Sequence, residues 1–145
     1  MEYTRSGSDV FMRLDEGEEI HTSIQAICKS EGISGAAITS GIGRVRNTDI
    51  GYLDDQNVYQ RIIRKEPHEL LSLQGNVSIF EGEPFTHLHV VLSDNDHKVH
   101  GGHLFTSTIH VVGEIHLRVL EKNVSVPMTR CSIVGSEFKP LNFEG

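Results

Sequence analysis

From Ala36 onward, the sequence changes from helical periodicity to a succession of strand-like runs. These runs are rich in β-branched residues, and turn residues separate them. Five segments have this pattern: "AAITSGIGRVRNTDIGYL", "NVYQRIIRK", "HELLSLQGNVSIF", "FTHLHVVL" and "HLFTSTIHVVGEIHLRVL". The connections between them are short and contain no helical pattern, which favours hairpins and an antiparallel sheet. We therefore expect about five or six strands after one helix.

The one predicted helix follows a short strand-like run that ends at Leu14. Three isoleucines at helical spacing define its apolar face: Ile20, Ile24 and Ile27. Asp15 is placed to cap the helix and is spaced from Glu18 as in a capping box, while Gly32 can supply a left-handed end. The predicted fold class is α+β, a mainly antiparallel sheet with one principal helix packed on it.

The last strand-like segment has the alternation of a half-buried strand. Apolar residues keep one parity: Ile109, Val111, Ile115, Leu117 and Val119. Polar residues keep the other parity: His110, Glu114, His116 and Arg118. Gly113 interrupts the pattern, and we expect a β-bulge there.

Length and composition favour one globular domain spanning residues 1–145, with a weakly patterned tail over 127–145. The net charge of −7 disfavours nucleic acid and anionic membranes as partners. No apolar run is long enough to span a bilayer and no secretory leader is visible, so we expect a cytoplasmic protein without a membrane partner.

Histidines are concentrated between Phe85 and Phe105, which hold five of the nine in the chain. His87 and His89 are two residues apart in a predicted strand, so both imidazoles should lie on the same face. A turn then reverses the chain, and His103 enters the next strand after two glycines that permit close backbone approach. Three imidazoles can therefore converge on one ion.

A site made of three neutral imidazoles suits zinc, with a fourth position left for water or another ligand. Nickel, iron and manganese are alternatives, because such a site is permissive among borderline metals. The competing interpretation is that His87 and His89 only hydrogen-bond within the sheet, with His97 and His100 solvated in a turn. We assign four histidines outside the predicted site to non-metal roles: His97, His100, His110 and His116. His21, on the helix, is interpreted as a surface residue rather than a metal ligand.

Two functional classes are compatible with this site. A binding or regulatory module is favoured because the sequence has no GxSxG, HExxH or phosphate-binding glycine loop. The alternative is a zinc-dependent enzyme in which a metal-bound water reacts and a carboxylate handles its proton. The candidate carboxylates are Glu69, Glu83 and Glu114.

Five ordered motifs make the sequence resemble a known family: "RLDEGEEI", "TSGIGRVRNTDIGYLD", "HELLSLQGNVS", "EPFTHLHVVLSD" and "GGHL". They are similar to those of the plants and prokaryotes conserved (PPC) domain, over roughly residues 10–120. The resemblance implies an α+β homotrimer with a mainly antiparallel sheet. It also implies a metal on the histidines of HxH and GGH, which here are His87, His89 and His103.

The resemblance also raises the question of DNA. In plant members the domain accompanies an AT-hook, whose Arg-Gly-Arg-Pro segment enters the minor groove. This sequence contains no such segment, and its charge is acidic, so DNA is a doubtful partner. The expected function is that of a trimeric binding or regulatory module in which a metal organises a pocket for a small ligand or stabilises the assembly.

Overall fold

The computed structural model describes residues 1–120 and 127–143. These residues form, in chain order, β1 (Glu2–Ser6), β2 (Asp9–Asp15), α1 (Ile20–Glu31), β3 (Ala36–Leu53), β4 (Tyr59–Arg64), β5 (His68–Phe80), β6 (Glu83–Ser93), β7 (Val99–Val119), β8 (Thr129–Arg130) and β9 (Leu141–Asn142). The predicted α+β class is confirmed, and β3 and β5 begin and end at the predicted residues. Strand β1 was not predicted, because all five of its residues are exposed and its sequence lacks apolar alternation.

Strand β7 organises the sheet, since it pairs antiparallel with β2, β3 and β6. Strand β5 pairs antiparallel with both β3 and β6. The strands β3, β5, β6 and β7 therefore make a closed circuit of pairings. The described pairings of β1, β4 and β9 are also antiparallel, whereas β8 joins β5 through one parallel pair. The predicted antiparallel arrangement holds for all but this last contact.

Helix α1 packs against β6 and β7. Its three predicted isoleucines are buried in the same core as Leu88 of β6 and Leu104 of β7. Burying each of these side chains stabilises the fold by about 1.5–3 kcal/mol, so the apolar stripe holds the helix on the sheet. Within the described residues, no helix combines the length and apolar character needed to cross a membrane.

The helix begins later than predicted. Asp15 still belongs to β2, where it pairs with Val112, so it is not the N-cap. Glu19 is the N-cap, and its side chain accepts a hydrogen bond from the Thr22 amide at 2.8 Å. The Asp15–Glu18 spacing does make a local contact, since the Asp15 amide donates to Glu18 Oε2 at 2.7 Å, but this contact stabilises the turn before the helix. The predicted left-handed end at Gly32 is confirmed, with φ of 63°.

Strand β7 contains the predicted irregularity beside Gly113. Between the pairs Gly43/Gly113 and Val45/Ile109, β7 advances four residues while β3 advances two. Val111 lies in this bulge and is 56% exposed, so its predicted burial is wrong. The other members of the predicted apolar parity are buried: Ile109, Ile115, Leu117 and Val119. The bulge breaks the alternation locally and leaves it intact on either side.

Gly75 allows β5 to approach the histidine-bearing strand β6. It has φ of +155°, and a Cβ placed there would lie 1.9 Å from the backbone oxygen of His87. Backbone atoms cannot move aside as a flexible side chain can, so a larger residue would push β5 and β6 apart. Glycine at this position therefore helps to hold His87 in place.

We expect Gly75→Ala to lower the free energy of unfolding by more than about 3 kcal/mol, because it combines a strained φ with a backbone clash. Gly7→Ala is the matched control, since Gly7 also has positive φ, +59°, but has open space around its Cβ position. Its cost should be only about 1 kcal/mol. Urea denaturation measures both values, and equal losses would contradict the proposed clash.

Candidate metal centre

The three predicted histidines converge because β6 and β7 pair in register. His89 lies directly opposite His103 in the antiparallel pair, and His87 lies two residues earlier on the same face of β6. The Nε2 atoms of His87 and His89 are 3.2 Å apart. One ring nitrogen from each of the three residues lies within 4.8 Å of the others. The fold thus brings together all three histidines that were predicted from the sequence.

Glycine permits the close strand spacing that carries His103 into the cluster. A Cβ at Gly101 would lie 2.8 Å from the carbonyl oxygen of Val90, and one at Gly102 would lie 2.8 Å from that of Gly51. Both distances are too short for a real side chain. The two glycines before His103 therefore let β7 lie between its neighbours at this level of the sheet.

Burial keeps the imidazoles of His87 and His103 in the neutral form that binds metal. Burial, with a further contribution from the nearby Arg130 guanidinium, lowers the pKa of His87 to about 4. Burial and then the neighbouring His87 lower the pKa of His103 to about 3. Both rings are neutral at pH 7, and a neutral imidazole offers a lone pair to a cation.

The hydrogen bonding of the cluster also fits a cation. The buried Nδ1 atom of His103 has no hydrogen-bond partner among the described residues. The described contact of the His89 ring nitrogen is to the ring nitrogen of His87. Buried polar atoms are normally satisfied, and nitrogens that face one another at this distance suit a shared ion better than they suit isolated rings.

A cavity of about 540 Å³ adjoins the cluster and has His87 and His103 in its wall. Aromatic side chains make up much of the rest of this wall: Tyr59, Phe85, Phe105 and Phe138. The ring of Tyr59 stacks on that of His103 at a centroid distance of 4.7 Å, and Phe105 meets His103 edge-on at 4.8 Å. These contacts orient the His103 ring and make the cavity largely apolar next to the histidines.

His21 belongs to the cavity wall, so its interpretation as a surface residue is wrong. It is half-buried, with Nδ1 2.6 Å from Thr86 Oγ1 and Nε2 3.0 Å from the carbonyl oxygen of Leu104. Gln25, one helical turn later, also bonds Thr86 and also lines the cavity. The i, i+4 spacing of His21 and Gln25 was the available sequence signal that a polar helix face meets the sheet.

The four histidines assigned to non-metal roles lie outside the described histidine cluster and the cavity wall: His97, His100, His110 and His116. His97 is exposed in the turn, as expected. His100 is not solvated in that turn: it is half-buried in β7, with Nε2 2.8 Å from Asp94 Oδ2. His116 Nε2 lies 3.0 Å from Asp9 Oδ1. The last two rings therefore have carboxylate partners of their own.

The candidate carboxylates are exposed and are not part of the cavity wall: Glu69, Glu83 and Glu114. Glu83, for example, pairs with Lys29 at 2.8 Å. The carboxylate that does line the cavity is Glu137, which accepts a hydrogen bond from the Tyr59 amide at 2.8 Å. Glu137 was missed because it lies in the weakly patterned tail.

The tail contributes more to the cavity than its sequence pattern indicated. Four of its residues line the wall: Arg130, Glu137, Phe138 and Lys139. Strand β8 brings them there by pairing with β5 at Ile79/Thr129 and with β9. Both of these strands are only two residues long, too short for any periodicity to be visible. No sequence signal distinguished this segment from a loop.

Comparisons with known proteins agree with the fold. A crystal structure of a plant- and prokaryote-conserved (PPC) protein from Pyrococcus horikoshii is 36% identical, with a TM-score of 0.78, over 92% of this chain and 89% of that one. A metal-containing protein from Archaeoglobus fulgidus is 32% identical, with a TM-score of 0.81, over 97% and 96%. A candidate DNA-binding protein from Bacteroides thetaiotaomicron is 22% identical, with a TM-score of 0.86, over 98% and 96%, and this likeness concerns the fold alone.

The search of curated protein sequences found no significant match. The model of the Plants and Prokaryotes Conserved (PCC) domain, the same domain as that abbreviated PPC, matches residues 1–121. This match covers most of the chain, including β6, β7 and all three clustered histidines. The chain belongs to the Plants and Prokaryotes Conserved domain family.

Proposed function

We propose that this protein is a metal-containing module that binds a small ligand in the cavity beside His87, His89 and His103. The observation that carries the proposal is the convergence of three imidazoles within 4.8 Å, two of which, those of His87 and His103, line a cavity of about 540 Å³. Three protein ligands leave a coordination position for water or a ligand, as in open zinc sites. The relative from Archaeoglobus fulgidus is itself metal-containing.

Zinc is the proposed ion, since an all-histidine donor set suits it and satisfies its preference for nitrogen ligands. When bound, it would act as a Lewis acid toward a ligand oxygen. The chain's own contribution is to place the three rings around one point and to keep those of His87 and His103 neutral. Other borderline divalent metals bind the same donors. The donor set therefore indicates a class of metals that includes zinc, nickel, iron and manganese.

A binding role is favoured over the alternative of a zinc-dependent hydrolytic enzyme. Such an enzyme needs a carboxylate that is free to take a proton from metal-bound water. Glu69, Glu83 and Glu114, the candidates from the sequence, do not line the cavity. Glu137 does line it, but its described hydrogen bond is to the Tyr59 amide and none links it to the three histidines. This arrangement favours binding over acid–base catalysis.

We also propose that the protein assembles as a homotrimer, and exposed apolar side chains support this. Strand β4 pairs with β3, and its Ile62 and Ile63 are 51% and 61% exposed. Neighbouring residues of a strand point to opposite faces, so both faces of β4 present an isoleucine. Leu71 of β5 and Val111 of β7 are exposed as well. Self-association would cover such surfaces.

Purified without a histidine tag, the protein should carry about one metal ion per chain, and the double variant His87→Ala, His89→Ala should lose it. Two of three ligands are then absent, and one imidazole cannot hold the ion. His97→Asn serves as the control, because it removes an exposed histidine from the turn. Elemental analysis measures the content, and full metal retention by the double variant would exclude this site.

Light scattering at low micromolar concentration should give a mass near three times the 16.1 kDa of the chain. Ile63→Glu should reduce this mass, because a charge in an apolar interface is costly to desolvate. Val134→Glu introduces the same charge at a fully exposed apolar position and should leave the mass unchanged. A monomeric mass for the unaltered protein would contradict the proposed assembly.

At physiological salt, this protein should bind duplex DNA no more tightly than a generic acidic protein does. The chain carries −7, and two of its arginines on β3 and β4 already face carboxylates: Arg44 with Glu69 and Arg61 with Asp49. This net negative charge repels the phosphates, whose neutralisation dominates DNA affinity. Fluorescence anisotropy with an A·T-rich duplex tests this. Sub-micromolar, salt-dependent binding would show that the charge argument is mistaken.

A further inference from the structure

The cavity contains a buried cation with no acidic partner among the described residues. Arg130 is only 7% exposed, yet it lines the cavity. Its Nε donates to Ser78 Oγ at 2.9 Å and its Nη2 donates to Asn76 Oδ1 at 2.6 Å. Its Nη1 donates to the carbonyl oxygen of Lys139. All of these acceptors are neutral, so they orient the guanidinium without balancing its charge.

A buried charge without a counter-ion is costly, and the structure keeps this one next to an open space. Burial lowers the pKa of Arg130, but a guanidinium still remains protonated under physiological conditions. A guanidinium has five N–H donors, and the described bonds use one from each nitrogen. One N–H on each terminal nitrogen is therefore left without an acceptor among the described residues.

The charge of the cavity wall has the opposite sign to that of the whole protein. Arg61, Arg130 and Lys139 line it, whereas the acid among the lining residues is Glu137. Asp49 neutralises Arg61, and Glu137 keeps its negative charge although it accepts a hydrogen bond from the Tyr59 amide. Glu137 offsets one of the two remaining cations, so Arg130 and Lys139 together leave the wall with a small net positive charge in a chain of net charge −7. A bound divalent cation would increase that positive charge further.

The remainder of the wall is apolar and favours an organic anion over an inorganic one. Phe85, Phe105 and Phe138 line the same cavity, and the guanidinium of Arg130 lies 5.3 Å from the centroid of the Phe85 ring. Such a wall favours a ligand with an apolar body. Guanidinium and carboxylate groups have matching planar geometry and form charge-assisted bonds. The guanidinium and the aromatic rings together favour one ligand that has both an anionic group and an apolar body.

We propose that the cavity binds a small organic carboxylate with a flat apolar body, its carboxylate on Arg130 and its body against the phenylalanine rings. The inference deepens the proposed function, because it names the ligand class of the same cavity. It depends on Arg130 and on the aromatic wall, and these are distinct from the residues that would hold the metal. Its test can therefore fail or succeed independently of metal binding.

Isothermal titration calorimetry on the full-length, metal-loaded protein compares three probes: benzoate, benzamide and inorganic phosphate. Benzoate should bind once per chain. Benzamide has nearly the same shape without the charge and should bind at least about tenfold more weakly, as expected for loss of a charge-assisted contact. Equal binding of benzoate and benzamide, or binding of phosphate in preference to benzoate, would overturn the proposal.

Variants then locate the contact. Arg130→Gln should weaken benzoate at least about tenfold, whereas Arg130→Lys should recover part of the affinity because it restores charge without the planar fork. Lys65→Gln removes an exposed cation outside the cavity wall and should leave benzoate binding unchanged. Unchanged affinity in a folded Arg130→Gln protein, judged by circular dichroism, would overturn the assignment. If that variant does not fold, the benzoate–benzamide comparison on the unaltered protein still decides it.

Elemental analysis of each sample separates the two proposals. A metal-free wild-type protein that binds benzoate through Arg130 would support the carboxylate cavity and refute the metal centre. A metal-loaded protein that binds none of the three probes would support the metal centre and refute the carboxylate cavity.

Discussion

The convergence of the three histidines depends on the register between β6 and β7. Successive residues of a strand point to opposite faces, so a slip of one residue would turn His103 away from His87 and His89. Buried Leu88 and Leu104 oppose such a slip, because it would move them out of the core. The hydrophobic pattern that packs helix α1 on the sheet therefore also aligns the three imidazoles. Core packing and site geometry have the same physical cause.

Burial has two opposite electrostatic effects in this site. It makes the imidazoles of His87 and His103 better metal ligands, since it lowers their pKa and keeps them neutral. The same burial destabilises the charge on Arg130. Because Arg130 also helps to lower the pKa of His87, the cation and the histidines form one electrostatic unit. An anion next to Arg130 would relieve the cost of its charge.

Structural features that follow from residue spacing or local end signals were predictable from the sequence. The alternation of β7, the shared face of His87 and His89, and the glycine end of α1 all follow from local rules. The N-cap was misplaced because β2 continues through Asp15, and that pairing depends on a strand almost a hundred residues away. Val111 was misplaced because the length of a bulge is set by the partner strand. His21 and Arg130 gain their surroundings from distant contacts, which periodicity does not encode.

The region that matches the family model and the cavity-lining tail are different parts of the chain. The matched region, residues 1–121, contains the three histidines, whereas Arg130, Glu137, Phe138 and Lys139 lie beyond it. Strand β8 is joined to β5 by one backbone pair, so few sheet contacts constrain the tail. Substitutions there could alter what the cavity accepts while the imidazole cluster stays in place. Such modularity would let relatives diverge in ligand choice on a common scaffold.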